Sequence, residues 1–119
     1  MSDYKIIDVN QDNFEEEVIK SDIPVIVDIW STKCEKCIEI MPFLERMSKI
    51  YNGKIKIVKL NHLGNRRFTF QFRFMGLPTF LFFINEKLVG KLTDNLKDSV
   101  EKIQEDLEEF IKNKLLKEL

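Results

Sequence analysis

The stretch Pro24-Val25-Ile26-Val27-Asp28-Ile29-Trp30-Ser31-Thr32-Lys33-Cys34-Glu35-Lys36-Cys37 decides how this chain folds and where its chemistry lies. Its first half is β-branched and apolar enough for a central strand covered on both faces, interrupted by Asp28. That strand delivers the chain to C-E-K-C at the mouth of a helix. Cys34 and Cys37 are the only cysteines in 119 residues. In this setting the pair reads as a redox site more readily than as a structural staple. Two intervening residues let both sulfurs sit on one turn at a helix N-terminus, the first exposed and the second tucked over the following turn. Free amide donors and the positive end of the helix dipole favour a thiolate there. Cys34 is then the nucleophile that forms a mixed disulfide with a substrate, and Cys37 the thiol that resolves it. Lys33 and Lys36 favour the Cys34 thiolate; Glu35 opposes them.

A CxxC is also half of many zinc sites, but structural zinc needs four ligands. The chain offers two thiols and one histidine, His62, so a closed site would need a carboxylate or a second chain. No metal and no other cofactor is expected beyond the redox-active disulfide itself.

Working outward, Tyr4 to Val9 is a short strand candidate, followed by Asn10 or Asp12 capping an acidic helix through Phe14, Val18 and Ile19. From Cys34 to Tyr51, Ile40, Leu44, Met47 and Tyr51 recur at helical spacing, flanked by Met41 and Ile50. Pro42 inside this helix removes a hydrogen bond and is expected to kink it. Asn52-Gly53 ends it, and Ile55, Ile57, Val58 and Leu60 make the next strand. Thr79 to Ile84, a turn at Asn85 to Lys87, and Leu88 to Leu92 read as a hairpin. From Leu96 the tail repeats Val100, Ile103, Leu107, Phe110, Ile111 and Leu115 as an amphipathic helix. Its end, Leu115 to Leu119, is a candidate dimer contact, although a monomer is the expected state. The order β-α-β-α-β-α-β-β-α predicts an α/β fold, a central mixed sheet with helices on both faces.

Composition frames this reading. A chain of this length is most simply one domain, residues 1–119, able to bury about two thirds of its unfolded surface. With 44% hydrophobic and 33% charged residues it is globular rather than disordered. A net charge of -1 offers no global attraction to nucleic acid or anionic lipid. The first ten residues lack the apolar core of a signal peptide, and no apolar run reaches the ~18 residues of a membrane span. A cytoplasmic setting is therefore the expectation, where a cysteine pair is catalytic, transient or metal-bound.

From about Val9 to about Ile111 the chain resembles the thioredoxin family. Four landmarks in register carry the likeness: Asp28-Ile29-Trp30, Cys34 to Cys37 with Pro42 beyond, Lys59-Leu60-Asn61, and Gly76-Leu77-Pro78-Thr79. The resemblance implies a thioredoxin fold, a cis Leu77 to Pro78 bond facing the cysteines, and a Leu77 backbone free to pair with an extended substrate segment. It also implies that Asp28 is a buried carboxylate near Cys37 with Lys59 close by, placed to relay the Cys37 proton. The bland reading of Asp28 is a strand carboxylate satisfied by Lys59 or by water. Trp30, Lys33, Glu35, Lys36, Leu77 and Pro78 become the substrate-binding rim. Implied partners are disulfide-containing proteins and a flavin-dependent thioredoxin reductase or an equivalent electron donor.

The departures are local. Lys33 stands where the family carries a second tryptophan, and Glu35-Lys36 replace Gly-Pro, a change at the main tuning point for redox potential. Asp94 and Glu86 stand at positions where the family commonly has glycine. Phe68, Phe70, Phe72 and Phe74 alternate like a strand, while the family places a short helix here that makes Phe68 and Phe72 an i, i+4 pair; the helix is the expectation. Arg66, Arg67 and Arg73 among these rings also invite a reading as a base-stacking surface, which the near-neutral charge disfavours. His62 reads as an ordinary loop histidine. Two function classes remain: a thiol-disulfide oxidoreductase that reduces protein disulfides, and a redox-inactive thioredoxin-like binding module.

Overall fold

The computed structural model describes residues 6–93 and 98–115. The elements run in chain order as β1 (Ile7–Val9), a π-helical turn (Glu15–Ile19), β2 (Val25–Trp30), α1 (Glu35–Ile50), β3 (Lys56–Asn61), α2 (Arg66–Phe70), β4 (Thr79–Ile84), β5 (Lys87–Thr93) and α3 (Val100–Phe110), which passes into a π-helical turn at Ile111–Leu115. The sheet order is β1-β3-β2-β4-β5. β1 and β2 run parallel to β3, while β4 is antiparallel to β2 and β5. This is the expected mixed sheet.

β2 alternates between two buried layers, as a strand covered on both faces must. Val25, Val27 and Ile29 join Val9, Phe14, Val18, Val58, Leu60, Leu81 and Phe83 in one. Ile26 joins Ile57, Phe80 and Phe82 in the other, under Ile40, Phe43, Leu44 and Met47 of α1 and Ile103, Leu107 and Ile111 at the C-terminal end. The stripe on α1 differs from the expected one at two positions. Phe43 is buried, with the Arg46 guanidinium 5.9 Å from its ring centre, and Ile50 is 68% exposed at the helix end. α1 continues as one helix through Pro42.

The first expected helix is a single π-helical turn, closed by Lys20 N–H donating to the Glu15 carbonyl over 2.9 Å. Asn10 Oδ1 accepts from the Asp12 and Asn13 amides, so Asn10 organises the entry rather than Asp12. Phe68 and Phe72 meet edge to face at 5.7 Å, and both pack on Phe14, so the aromatic alternation is a helical turn and not a strand. The helix nevertheless ends at Phe70. The hairpin turns through Asn85 and Glu86, both left-handed with φ of 50° and 71°; Glu86 thus occupies a conformation that favours glycine. Leu115, proposed from sequence as part of a dimer contact, is fully buried in the α1–α3 layer. Residues 116–119, the expected strand start at Tyr4, Asp94 and the helix start at Leu96 lie outside the described residues. No helix of the described residues is long and apolar enough to cross a membrane.

Candidate active site

The site forms where β2 and β3 end and β4 begins. Trp30 stands opposite Asn61, and Ile29 opposite Thr79, so Pro78 lies beside the loop that leaves β2 for the cysteines. Ser31 shapes that loop. Its Oγ accepts from the Lys33 amide at 3.1 Å and its carbonyl from the Cys34 amide at 3.1 Å.

Cys34 is the N-cap of α1 with extended backbone, and its Sγ accepts from the Cys37 amide at 3.1 Å. The sulfur occupies the place that a serine or aspartate oxygen takes in an ordinary cap, against the positive end of a 16-residue helix. Such a position stabilises a thiolate. Cys34 and Cys37 are joined as a disulfide, with Cα atoms 5.2 Å apart, inside the range that a disulfide spans without backbone movement. The two sulfurs differ in access: Cys34 is half-buried, Cys37 fully buried. Lys33 and Glu35 are exposed beside them and Lys36 is half-buried.

Asp28 is fully buried on the face that α1 covers, and neither carboxylate oxygen has a hydrogen-bond partner among the described residues. Cys37 shares the buried side of α1 with Ile40 and Leu44, so thiol and carboxylate lie in one layer. Burial pushes the Asp28 carboxyl up to about 8, and the charge of Lys59 pulls in the opposite direction. Lys59 is opposite Asp28 in register, but its Nζ lies 3.9 Å from Asp8 Oδ1 and 5.4 Å above the centre of the Trp30 ring. Its influence on Asp28 is through space. The satisfied-carboxylate reading therefore fails for direct bonding to Lys59. The half-buried Trp30 also holds its indole N–H out of solvent without an acceptor among the described residues.

The Leu77–Pro78 bond is cis. Pro78 itself is buried, while Leu77 is half-exposed. Thr79, a landmark residue of the sequence, and Thr93, which no motif marked, hold this segment. Thr93 Oγ1 accepts from the Met75 amide at 2.9 Å and lies 2.8 Å from Thr79 Oγ1, which donates to the Gly76 carbonyl at 2.6 Å. The signal available was the hairpin register, which sets Thr79 opposite Thr93. His62 also gains a structural place. Its amide donates to the Trp30 carbonyl at 2.7 Å, its Nδ1 lies 2.8 Å from Thr69 Oγ1, and its ring meets the edges of Phe70 and Phe74. Burial and the Arg66 charge both hold its imidazole below the usual histidine range. Among the described residues no group of three potential ligands is placed to hold a metal ion.

A family model for thioredoxin matches residues 5–113. The chain is 36% identical over 103 residues to the chloroplastic M-type thioredoxin of Spinacia oleracea, a match covering 82% of this chain and 57% of the spinach protein. It is 35% identical over 86 residues to the thioredoxin of Haemophilus influenzae, covering 72% of this chain and 80% of that protein. It is 38% identical over 77 residues to the thioredoxin of Rickettsia bellii, covering 65% and 73%. Fold, cysteine pair and these likenesses agree: the chain belongs to the thioredoxin family, whose chemistry is thiol-disulfide exchange.

Proposed function

We propose that this protein reduces disulfides in other proteins, with Cys34 as the attacking thiolate and Cys37 as the resolving thiol. The observation that carries the reading is the asymmetry of the pair: a half-buried cysteine whose sulfur caps α1 and a fully buried one a turn further on. In the dithiol state the Cys34 thiolate attacks one sulfur of a substrate disulfide, forming a mixed disulfide and releasing the other substrate sulfur as a thiolate that takes up a proton. Cys37 loses its proton and attacks Cys34 Sγ, closing the Cys34–Cys37 disulfide and releasing the second substrate thiol. Two electrons pass from the dithiol to the substrate; the protein gives up one proton, that of Cys37, and solvent supplies the other.

Asp28 is the proposed acceptor of the Cys37 proton. Because burial pushes its carboxyl up to about 8, its capacity to accept rises with pH through the neutral range. Lys59 is a positioning charge that keeps that value from climbing further. Leu77 offers its main chain to an extended substrate strand, with Pro78 as the wall behind it and Trp30, Lys33, Glu35 and Lys36 as the rim. The protein works as a monomer in the cytoplasm, with a flavin-dependent thioredoxin reductase or equivalent donor restoring the dithiol and no bound cofactor or metal.

The test is trapping. Reduced Cys37→Ser protein mixed with a disulfide-containing protein is expected to accumulate a mixed disulfide through Cys34, visible by mass. The unsubstituted protein is expected to release free substrate thiols. Failure to form either product would overturn the reading.

A further inference from the structure

Charge is unevenly distributed along this chain. Between Glu45 and Glu86 there is no acidic residue, although the chain as a whole carries a net charge of -1. The same segment holds Arg46, Lys49, Lys54, Lys56, Lys59, Arg66, Arg67 and Arg73. Lys56 is paired with Glu17 at 2.6 Å, and Lys59 lies near Asp8. Arg66, Arg67 and Arg73 are different: all three are exposed, and none forms an ion pair with another described residue.

The segment that carries these arginines, from Arg66 in α2 to Arg73 beyond its end, forms one wall of the site. α2 starts a few residues beyond Asn61, at the end of the sheet where β2 releases the cysteine loop. His62 fastens the wall to the site through the Trp30 carbonyl, Thr69, Phe70 and Phe74. Lys91 fastens its far end, Nζ donating to the Phe72 carbonyl at 3.1 Å and to the Arg73 carbonyl at 2.6 Å. Arg73 sits there with φ of 49°, a left-handed conformation in which glycine would be easier. From Arg73 the chain leads directly to Met75, 81% exposed, and to Leu77. The cysteine side of the site is mixed by contrast, with Lys33 and Lys36 beside Glu35 and Glu39.

We propose that this wall selects the substrate: disulfide-containing polypeptides with acidic residues flanking the reactive cysteine, whose carboxylates meet Arg66, Arg67 and Arg73 while the strand lies along Leu77. The inference rests on the reductase reading above. Guanidinium groups match carboxylates in bidentate geometry, and unpaired surface charge of one sign raises the encounter rate with the opposite sign. A polypeptide is favoured over a nucleic acid because the three arginines belong to one segment beside a disulfide-exchange site and the chain as a whole carries a net charge of -1.

The test is single-turnover reduction, by the full-length reduced protein, of disulfide peptides identical but for Glu, Gln or Lys on both sides of the cysteine. At about 20 mM salt the Glu peptide is expected to react about tenfold faster than the Lys peptide, the gap closing to about twofold at 0.5 M salt as screening sets in. The combined Arg66→Gln, Arg67→Gln, Arg73→Gln variant is expected to bring the Glu to Gln rate ratio to about one. Should that variant fold poorly, Arg67→Gln alone is expected to reduce the ratio by about twofold, and the salt series needs no variant. Equal rates for all three peptides would overturn the selection while leaving the reductase standing; no reduction of any peptide would overturn the reductase reading itself. A single-stranded oligonucleotide that suppresses Glu-peptide reduction at concentrations where poly-glutamate does not would also overturn it.

Discussion

The two faces of the sheet are equally dry and differently made. On one, Val25, Val27 and Ile29 lie in an apolar layer closed by the ring cluster of Phe14, Phe68, Phe72 and Phe83, and the buried Thr79 opposite Ile29 has its hydroxyl hydrogen-bonded. On the other, one step along the same strand, Asp28 is buried to the same degree with both oxygens unpartnered among the described residues. An unpaired buried carboxyl is a stability cost that an apolar residue would not carry. The strand's alternation therefore separates two kinds of burial: one layer keeps its buried polar group satisfied, and the other holds an unpartnered carboxyl at a cost in stability.

The largest effect expected from breaking this separation is on the face with the ring cluster. Phe14→Ala, which removes a ring touching three others, is expected to cost about 3–5 kcal/mol in urea unfolding and to leave the pH dependence of stability unchanged. Asp28→Asn is expected to act oppositely. Burial pushes the folded carboxyl up to about 8 from an ordinary value of 3.8, so between those values the folded state keeps a proton that the unfolded state has lost. Stability then falls as pH rises through this window and levels off above it. Asn is expected to flatten that slope and to gain roughly 2 kcal/mol at pH 8.5, while slowing resolution of the mixed disulfide by about tenfold. Lys59→Met, which removes the opposing charge, is expected to move the end of the slope to higher pH.

Two smaller tests sharpen the picture. A Cβ at Gly90 would fall within 2.8 Å of Phe110 Cε2, and Phe110 stacks at 3.9 Å on Phe82, the residue opposite Gly90. Gly90→Ala is thus expected to cost about 1–3 kcal/mol in thermal unfolding, without altering the Asp28 titration. Glu86→Gly relieves a left-handed glutamate in the hairpin and is expected to gain up to about 1 kcal/mol, read as a rise in urea midpoint.

Much of the fold was legible because β2 and α1 state it twice, once in an unbroken apolar run and once in helical spacing. The cysteine pair was legible because CxxC chemistry is local to four residues. The relation of Lys59 to Asp28 was not: register puts them opposite, yet only the packed structure shows the ammonium drawn to Asp8 and Trp30. The link between Thr79 and Thr93 was not legible either, because Thr93 is ordinary alone and the two hydroxyls meet only through pairing across the hairpin. The first helix shrank to one π-helical turn because its acidic sequence has little besides Phe14 and Val18 to bury. Phe68 and Phe72 meet as the resemblance implied, although α2 ends at Phe70 and Phe72 lies in the turn beyond it.

The most direct test of the central claim, that Cys34 and Cys37 exchange as one couple, is a glutathione redox titration of the intact protein with thiol alkylation and mass at each point. The account predicts a single reversible two-electron transition in which both cysteines change together, at a potential below about -230 mV as a reductase requires. Cysteines that alkylate independently, or a pair that never re-forms its disulfide across the titration, would contradict it.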